Sequence, residues 1–423
     1  MVADFKTFLC SEEELQTTGN VERKRLLQKI KILKFLFQNK KASNAAICKK
    51  FNLSLPTSMG LINQLLTEGF IEKKGQGKSE GGRKPDLYGL SKDSFYVIGI
   101  HINRYGIKMA VIDNDHIIIE ESTLSTRISK NSNIVDTLYT KVKALIKAAG
   151  IDINTIMGLG VSMPGLVSSQ EGKNYTYYLS EQEPQSLKEK LEHKFKKPVV
   201  ILNDAKSATL AEYRFGKAKN TQNALVISMD WGTGLGIIMG GKMQDGSSGF
   251  SGEFGHIPFM ENGILCHCGK RGCLETEASG LALVRKTKEA LAAGQNSSLN
   301  ELNEETLKNL DPKHIITAAH KGDQFAIKML AELGTQLGKG IATLVQLFNP
   351  ERIILEGKIA QAGPFLTTSI EQAMNTYCMM QLKEKTKISR SLLGANANLY
   401  GATIAVMESI FRNQMTTIKN SIN

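Results

Sequence analysis

Residues 253–275 read EFGHIPFMENGILCHCGKRGCLE. Three of the six cysteines of the chain fall within eight residues of this stretch, and His256 stands ten positions before the first of them. Thiolate sulfur and imidazole nitrogen are ligands that tetrahedral zinc favours. Because Glu253 and Glu275 flank the cluster, the stretch predicts a metal-held loop beside a small polar ligand.

The composition is that of a soluble globular protein. At 423 residues the chain has room for two or three domains. No apolar run approaches the roughly 20 residues that a membrane span requires, and the first residues do not read as a signal peptide. Clustered cysteines suit reduced thiols and a metal better than a disulfide framework. We therefore expect a cytoplasmic protein without a membrane segment.

The positive charge of the chain is concentrated near its start. The net charge is +12, and residues 23–84 hold 15 Lys and Arg against 3 Asp and Glu, while the rest of the chain is balanced. A polyanion is the natural partner of such a segment. A solvated basic face without any partner is the competing interpretation.

The same basic segment has the pattern of a small helical domain. Residues 1–20 are polar and short of core material, so we expect a flexible arm there. Apolar residues then recur at helical spacing from Val21 to about Gln38. Ser43 and Ser54 stand where the N-caps of two further helices are expected.

A β-hairpin is predicted after the third helix. Residues 70–74 and 87–90 read as strands, and the loop between Gly75 and Pro85 is basic and rich in glycine. Three helices and a basic hairpin make a winged helix-turn-helix, from about residue 21 to 91. In such folds the third helix enters the major groove and the wing contacts phosphates or the minor groove. A protein-binding winged helix is the alternative to DNA binding.

The remainder of the chain, residues 92–423, predicts an α/β domain. Residues 95–120 read as a meander of three strands, and helices then alternate with strands up to a final helix near 396–412. The order of a meander followed by β–α units occurs twice, with a break near residue 203. We therefore expect two similar lobes.

These motifs resemble those of the ROK family (repressor, open reading frame, kinase), in its transcriptional regulator branch. The most specific string is Glu253-x-Gly-His256 followed by Cys266-x-Cys268-Gly-x-x-Gly-Cys273-x-Glu275. Weaker matches, in the expected order, are residues 81–85 of the wing, Pro164-Gly165, Asn203-Asp204 and Gly232–Gly236. The resemblance implies an actin-like, sugar-kinase fold with two ribonuclease-H-like lobes around a cleft. The second lobe then begins at about residue 203, and the C-terminal helix returns to the first.

The resemblance also implies a zinc site. The ligands that match those of the family are His256, Cys266, Cys268 and Cys273. One histidine and three cysteines make a closed, four-coordinate site, which is typical of a structural metal. Buried free cysteines and a redox switch are the alternatives. His267 lies between two ligands and remains a candidate to replace His256.

A sugar site is implied beside the metal. The residues that match the sugar-binding set of the family are Asn203, Asp204, Glu253, His256 and Glu275. Carboxylates and an amide can hold vicinal hydroxyls in a fixed orientation. Asp204 stands where family kinases keep their general base. For each acidic residue taken alone, a solvated surface charge is the competing interpretation.

The kinase pattern is broken where ATP would bind. Kinases of the family carry an Asp-x-Gly-Gly-Thr loop in the first strand pair, where this chain has His101, Asn103, Arg104 and Tyr105. Glu356-Gly357 replaces an expected double glycine. The Gly232–Gly236 segment resembles the second phosphate loop of the family, but so short a pattern is weak evidence. We therefore expect that the protein does not use ATP and is not an enzyme.

The residues expected at the DNA are polar or basic. They are Ser54, Thr57, Ser58, Asn63 and Gln64 on or near the third helix, and Lys73, Lys74, Arg83 and Lys84 on the wing. Because this helix carries no Arg or Lys, base readout is expected to use amide and hydroxyl groups, with adenine a natural target.

Together these observations predict a sugar-responsive transcriptional regulator, most simply a repressor. It would bind a palindromic operator as a homodimer or homotetramer, and a sugar or phosphosugar would change its affinity for DNA. Two alternatives remain open. One is a sugar kinase with a fused DNA-binding head, and the other is a regulator controlled by a protein partner.

Overall fold

The computed structural model describes residues 12–78, 84–126, 133–177 and 185–422. The helices are α1 (Glu12–Thr17), α2 (Asn20–Asn39), α3 (Asn44–Phe51), α4 (Leu55–Thr67), α5 (Ile134–Ala148), α6 (Leu187–Phe195), α7 (Asp204–Phe215), α8 (Gly280–Ala292), α9 (Glu304–Lys308), α10 (Pro312–His320), α11 (Gln324–Phe348), α12 (Pro364–Tyr377), α13 (Met380–Lys383) and α14 (Ala397–Ile422). Within these described ranges, no helix is both long enough and apolar enough to cross a membrane.

The strands are β1 (Lys41–Ser43), β2 (Ile71–Gln76), β3 (Asp86–Leu90), β4 (Tyr96–Asn103), β5 (Gly106–Asp113), β6 (Ile118–Ser125), β7 (Ile156–Met163), β8 (Val167–Ser168), β9 (Lys173–Asn174), β10 (Val199–Asn203), β11 (Ala224–Met229), β12 (Thr233–Met239), β13 (Lys242–Met243), β14 (Arg352–Glu356) and β15 (Lys387–Arg390). The chain forms two compact units. The first unit comprises residues 1–165, 171–202 and 402–423, and the second comprises 166–170 and 203–401.

The first unit begins with the predicted winged helix. Helices α2, α3 and α4 precede the β2–β3 hairpin, and the side chains of Ser43 and Ser54 cap α3 and α4 by accepting hydrogen bonds from the amides of Ala46 and Thr57. The sequence did not predict β1, which pairs antiparallel with β3 and makes the order β1-β3-β2. The tip of the wing lies outside the described residues.

Each unit contains one five-stranded sheet, and the two sheets have the same order. In the first unit the meander β4-β5-β6 is antiparallel, β7 adds parallel to β4, and β10 follows at the edge. In the second unit β11-β12-β13 form the meander, with β14 and β15 added parallel on the other side. This repeated order confirms the prediction of two lobes of the same topology.

One hydrophobic core joins the winged helix to the rest of the first unit. Phe37, near the end of α2, is only 2% exposed, and its ring centroid lies 6.0 Å from those of Phe95 and Phe411. The ring of His116 lies 4.6 Å away, and its Nε2 is 2.8 Å from the backbone oxygen of Phe37. Helix α2 is therefore packed against the β5–β6 turn and α14.

Candidate functional sites

The predicted metal ligands lie together in the second unit. The donor atoms of His256, Cys266, Cys268 and Cys273 are all within 4.8 Å of one another. The Sγ atom of Cys266 is 3.6 Å from Nδ1 of His256, and the Sγ atoms of Cys268 and Cys273 are also 3.6 Å apart. With zinc–sulfur bonds of about 2.3 Å, the edges of a tetrahedral site measure roughly 3.5 to 3.8 Å. The donor chemistry and these two distances therefore fit a zinc ion.

The loop around the cluster is held by its own backbone. The amide of Cys266 donates to the oxygen of Lys270, and the amide of Gly269 donates to the oxygen of Cys266. Gly269 has a φ of +89°, a conformation that glycine adopts without strain. Nζ of Lys270 donates to the backbone oxygen of His256 at 2.8 Å. These bonds present the sulfur atoms on one side of a tight turn.

His267 offers a second grouping. Its Nδ1 lies 3.3 Å from Oε1 of Glu275 and 3.8 Å from Sγ of Cys266. His256, His267 and Glu275 also have donor atoms within 4.8 Å of one another. The site next to the cysteines thus includes a carboxylate that both histidines can approach.

Glu275 is fixed by the start of β12. The residue is 8% exposed, and its Oε2 accepts a hydrogen bond of 2.9 Å from the amide of Thr233. The turn at Phe254–His256 also packs against the start of β12. A Cβ added to Gly255 would lie only 2.3 Å from the backbone oxygen of Thr233. Glu253, just before this turn, is therefore held near Glu275, and burial together with the charge of Glu275 raises the pKa of Glu253.

Asn203 and Asp204 form the N-terminus of α7. Oδ1 of Asn203 accepts from the amides of Ala205 and Lys206, and Oδ1 of Asp204 also accepts from Ala205. Desolvation by the surrounding protein raises the pKa of Asp204 to about 7, and the charges of Asp230 and Glu253 add to this effect. The predicted polar set is thus gathered within the second unit, at the start of α7 and around the metal cluster.

Lys206 is a site residue that sequence reasoning missed. Its side chain is 7% exposed, and Nζ donates to the backbone oxygen of Gly249 at 2.7 Å and to Oδ1 and the backbone oxygen of Asp245 at 3.1 and 3.4 Å. Its charge lowers the pKa of Glu253 against the effect of burial. A lysine two positions after Asp204 was the available signal. Only the folded loop shows what this lysine binds.

The Gly232–Gly236 segment begins in the turn between β11 and β12 and continues into β12. Thr233 and the residues after it belong to β12, and none of the three glycines has a positive φ. A Cβ on Gly234 would lie 2.7 Å from Cβ of Ala205, and one on Gly236 would lie 1.7 Å from Oγ1 of Thr209. The spacing of these glycines is therefore explained by the close packing of β12 on α7.

Two further departures from a nucleotide site are visible. Arg104 and Tyr105 form the two-residue turn between β4 and β5, where Oδ1 of Asn103 accepts from the amide of Tyr105. In the second unit, Glu356 is buried at the end of β14, and its Oε2 accepts a hydrogen bond of 2.8 Å from Ser228. Burial raises the pKa of Glu356 to about 8, with smaller contributions from neighbouring carboxylates.

The exposed face of α4 differs from the predicted list in one position. Ser54, Thr57 and Asn63 are exposed, and Gln64 is partly buried. Ser58 has no exposed surface because it lies on the inner face of the helix with Leu61 and Ile62. The rotation of this helix about its axis could not be chosen from one sequence, and the burial of Ser58 removes this residue from the candidate contacts.

The same face exposes two apolar residues that the sequence reading did not select. Leu55 is 62% exposed and Met59 is 39% exposed. Gly60 lies beside them, and a Cβ at that position would meet nothing within 4 Å. The surface of α4 that faces away from the core therefore presents methyl groups, an amide and bare backbone.

The lysines of the wing are not equivalent. Nζ of Lys73 pairs with Asp86 at 2.9 Å, and Nζ of Lys74 pairs with both Glu72 and Asp115. Lys74 thereby ties the wing to the β5–β6 turn, whereas Lys84 is exposed at the start of the returning segment. Arg83 lies outside the described residues.

The fold and these two sites define a class of protein: a winged helix-turn-helix joined to a two-lobed, actin-like domain. The model of a winged helix-turn-helix DNA-binding domain matches residues 26–72. The model of the ROK family matches residues 97–409. The chain belongs to the ROK family.

Relatives along most of the chain are named as a repressor or as transcriptional regulators. The xylose repressor of Bacillus spizizenii strain W23 is 30% identical over 387 residues, which cover 91% of this chain and 96% of that protein. The transcriptional dual regulator NagC of Escherichia coli K12 is 28% identical over 375 residues, covering 89% and 91%. A crystal structure of a ROK family transcriptional regulator, described as a homologue of the E. coli Mlc protein, has the same fold. It matches with a TM-score of 0.75 at 24% identity, covering 96% of this chain and all of that one.

Proposed function

We propose that this protein is a sugar-responsive transcriptional repressor. The observation that carries the proposal is that one chain combines an exposed helix face in a winged helix with a gathered polar site, built from Asn203, Asp204, Glu253 and Glu275. The names of the xylose repressor and of NagC support it. Residues 21–91 would bind operator DNA, and residues 92–423 would bind the effector. The arm expected at residues 1–20 is corrected in its described part, where Glu12–Thr17 form α1 and Leu15 is only 1% exposed in the core that includes α2.

Zinc is the proposed metal, held by His256, Cys266, Cys268 and Cys273. With four protein ligands the site has no open position, so the role of the ion is structural. The ion would fix the loop that begins after Glu253 and ends before Glu275. The carboxylates of Glu253 and Glu275 would then stay at a constant separation, which the binding of a sugar with vicinal hydroxyls requires.

ATP is not part of this proposal. The bulky residues of the turn at Asn103–Tyr105 and the buried Glu356 both oppose a triphosphate site. Asp204 acts as a hydrogen-bond partner of a sugar hydroxyl. Because the pKa of Asp204 is about 7, its carboxyl group can donate or accept near neutral pH.

At the DNA, Asn63 and Thr57 are the proposed polar contacts of α4 with base edges, with Ser54 and Gln64 beside them. Lys73, Lys84 and Arg83 of the wing supply phosphate contacts, and Lys74 contributes less because it is paired with two carboxylates. A homodimer or homotetramer would place two such heads on a palindromic operator.

The test combines two measurements on the purified, zinc-loaded chain. Thermal unfolding is followed with a panel of hexoses, pentoses and N-acetylhexosamines, their phosphates and Mg-ATP. Fluorescence anisotropy then measures binding to DNA from the promoters nearest to the gene, with and without any stabilising sugar. The proposal predicts stabilisation by a sugar, none by Mg-ATP, and a weaker affinity for DNA in the presence of that sugar.

The other outcomes identify the alternatives. Transfer of phosphate from ATP to any sugar would place the protein among the kinases of the family, for which Asp204 is suitably located. DNA binding that no sugar of the panel affects would favour control by a protein partner. Absence of DNA binding would contradict the proposal outright.

A further inference from the structure

We propose that Leu55 and Met59 select base pairs of the operator by contact with the 5-methyl groups of thymine. This inference rests on the proposed function and goes beyond it, because it assigns sequence readout to apolar side chains of α4. The two residues are exposed on the helix that would enter the major groove, and its polar groups are largely engaged elsewhere.

Leu55 and Met59 lie at the end of α4 from which bases are read. In a helix-turn-helix, the N-terminal residues of the second helix contact base edges. Helix α4 begins at Leu55, and Met59 and Asn63 follow at intervals of four residues, so the three side chains share one face. Leu55 is 62% exposed and Met59 is 39% exposed. The helix therefore presents an apolar pair at the place where a groove-reading helix meets the bases.

The hydroxyl groups on and beside α4 already make hydrogen bonds within the helix. Oγ of Ser54 and Oγ1 of Thr57 lie 2.7 Å apart, and Oγ of Ser54 also accepts from the amide of Thr57 at 3.3 Å. Oγ1 of Thr67 donates to the backbone oxygen of Asn63 at 2.9 Å, and Ser58 is buried. The exposed amide of Asn63 is therefore the main polar group that this face offers to a base edge.

This combination of side chains favours A·T pairs. Guanine is most often read by Arg or Lys, and residues 55–67 contain neither. An asparagine amide pairs with adenine, and apolar side chains contact the methyl group of thymine. Each methyl group that is buried in this way contributes about fourfold in affinity. Asn63 and its two apolar neighbours would thus read adjacent A·T pairs, the amide from adenine and the apolar pair from thymine.

Gly60 supports the close approach of DNA to this face. A glycine inside a helix is less stable than an alanine, and it is typical of places where a ligand approaches the backbone. A Cβ at Gly60 would meet nothing within 4 Å, so packing within the described part of the chain does not require glycine there. Because Gly60 follows Met59, DNA that contacts the methionine would also pass close to this bare stretch of helix.

The test uses the zinc-loaded full chain and a pool of duplexes randomised over about 30 base pairs, enough for two half-sites. Rounds of binding and amplification identify the preferred sequence. Duplexes of that sequence are then prepared with deoxyuridine in place of each thymine in turn, which removes only the 5-methyl group. In anisotropy titrations, we expect this replacement to weaken binding by about threefold to tenfold at one or more thymines of each half-site.

Variants show whether the two side chains make these contacts. Leu55→Ala and Met59→Ala should each bind the thymine duplex about threefold to tenfold more weakly. Each should also lose the preference for thymine over deoxyuridine at a contacted position. Leu347→Ala removes a leucine that is 72% exposed in the second unit, and it should change neither quantity. Thermal unfolding shows that each variant is folded.

Each outcome has a separate meaning. Equal affinity for the thymine and deoxyuridine duplexes at every position overturns the inference and leaves the repressor proposal standing. A preference for thymine that persists in both variants also overturns it, because the methyl groups would then act through the shape of the duplex. If no sequence is enriched from the pool, specific DNA binding fails, and the proposed function and this inference fail together.

Discussion

Acid should lower the free energy of unfolding of the first unit, because His116 is buried as a neutral side chain against α2 of the winged helix. Burial lowers the pKa of His116 to about 4, although the hydrogen bond with the oxygen of Phe37 acts in the opposite direction. Lys40 and Asp115 are the charged groups that affect it, and Lys40 lowers the pKa further whereas Asp115 raises it. Asp113, in the same turn, has a pKa raised by burial.

The sign of the effect follows from linkage. In the unfolded chain a histidine has a pKa near 6.5, so between pH 6.5 and about 4 the unfolded state binds a proton that the folded state does not. The contribution of His116 is therefore complete above pH 6.5 and is lost as the pH falls towards 4. With these two values, the loss is about 2 kcal/mol at pH 5 and about 3 kcal/mol at pH 4.

The assay is urea unfolding followed by far-ultraviolet circular dichroism at pH 7.5 and pH 5.0. The variant His116→Asn keeps a residue that tolerates the observed φ of +62° but removes the titrating group. Wild type should lose about 2 kcal/mol more than this variant over the same pH interval. His193→Asn, at an exposed position of α6, is the matched control and should behave as wild type.

Two results would refute the reasoning. One is an equal loss of stability in wild type and His116→Asn, which would mean that other groups account for the whole effect of acid. The other is a proton titration of His116 at or above pH 6.5 in the folded protein, measured from its ring resonances by nuclear magnetic resonance.

Three further predictions concern the two sites. Cys268→Ser should reduce bound zinc from one equivalent per chain to well below one, measured by atomic emission after dialysis, because a four-ligand site loses one thiolate. Lys206→Met should weaken sugar binding by at least about 10-fold in calorimetry, since the loop beside Glu253 loses its three hydrogen bonds, and the exposed Lys219→Met should not. Asn63→Ala should weaken operator binding by about 1–3 kcal/mol in anisotropy titrations, whereas Ser58→Ala should leave it unchanged because Ser58 is buried.

Local signals in the sequence predicted the elements of the winged helix well. Ser43 and Ser54 are caps whose effect depends only on the next few residues, and both are confirmed as caps. By contrast, β1 has three residues and pairs with β3, more than 40 residues away, so no local pattern marks it. The same holds for β15, which is a strand only because β14 lies beside it.

In the candidate sites, too, features set by neighbouring residues were predictable and features set by distant residues were not. The cysteine spacing predicted a cluster because the four ligands come from one short loop, and the structure brings their donor atoms together. The glycines at 232–236 resembled a phosphate loop, yet their spacing reflects packing against α7, which only a tertiary structure reveals. Lys206 could not be selected either, because its three acceptors lie about 40 residues further along the chain.

The winged helix is packed against the rest of the first unit and is not joined to it only by a linker. Phe37 is enclosed by Phe95 and Phe411, and Nε2 of Gln38 donates to Glu408 of α14 at 3.0 Å. A flexible tether would allow the DNA-binding head to turn independently of the domain that follows it. With a shared core, a rearrangement of the β5–β6 turn or of α14 must be accompanied by movement of α2, since packed interiors transmit displacement. A change at either place would therefore reach α2, and through it the winged helix, along packed side chains of this unit.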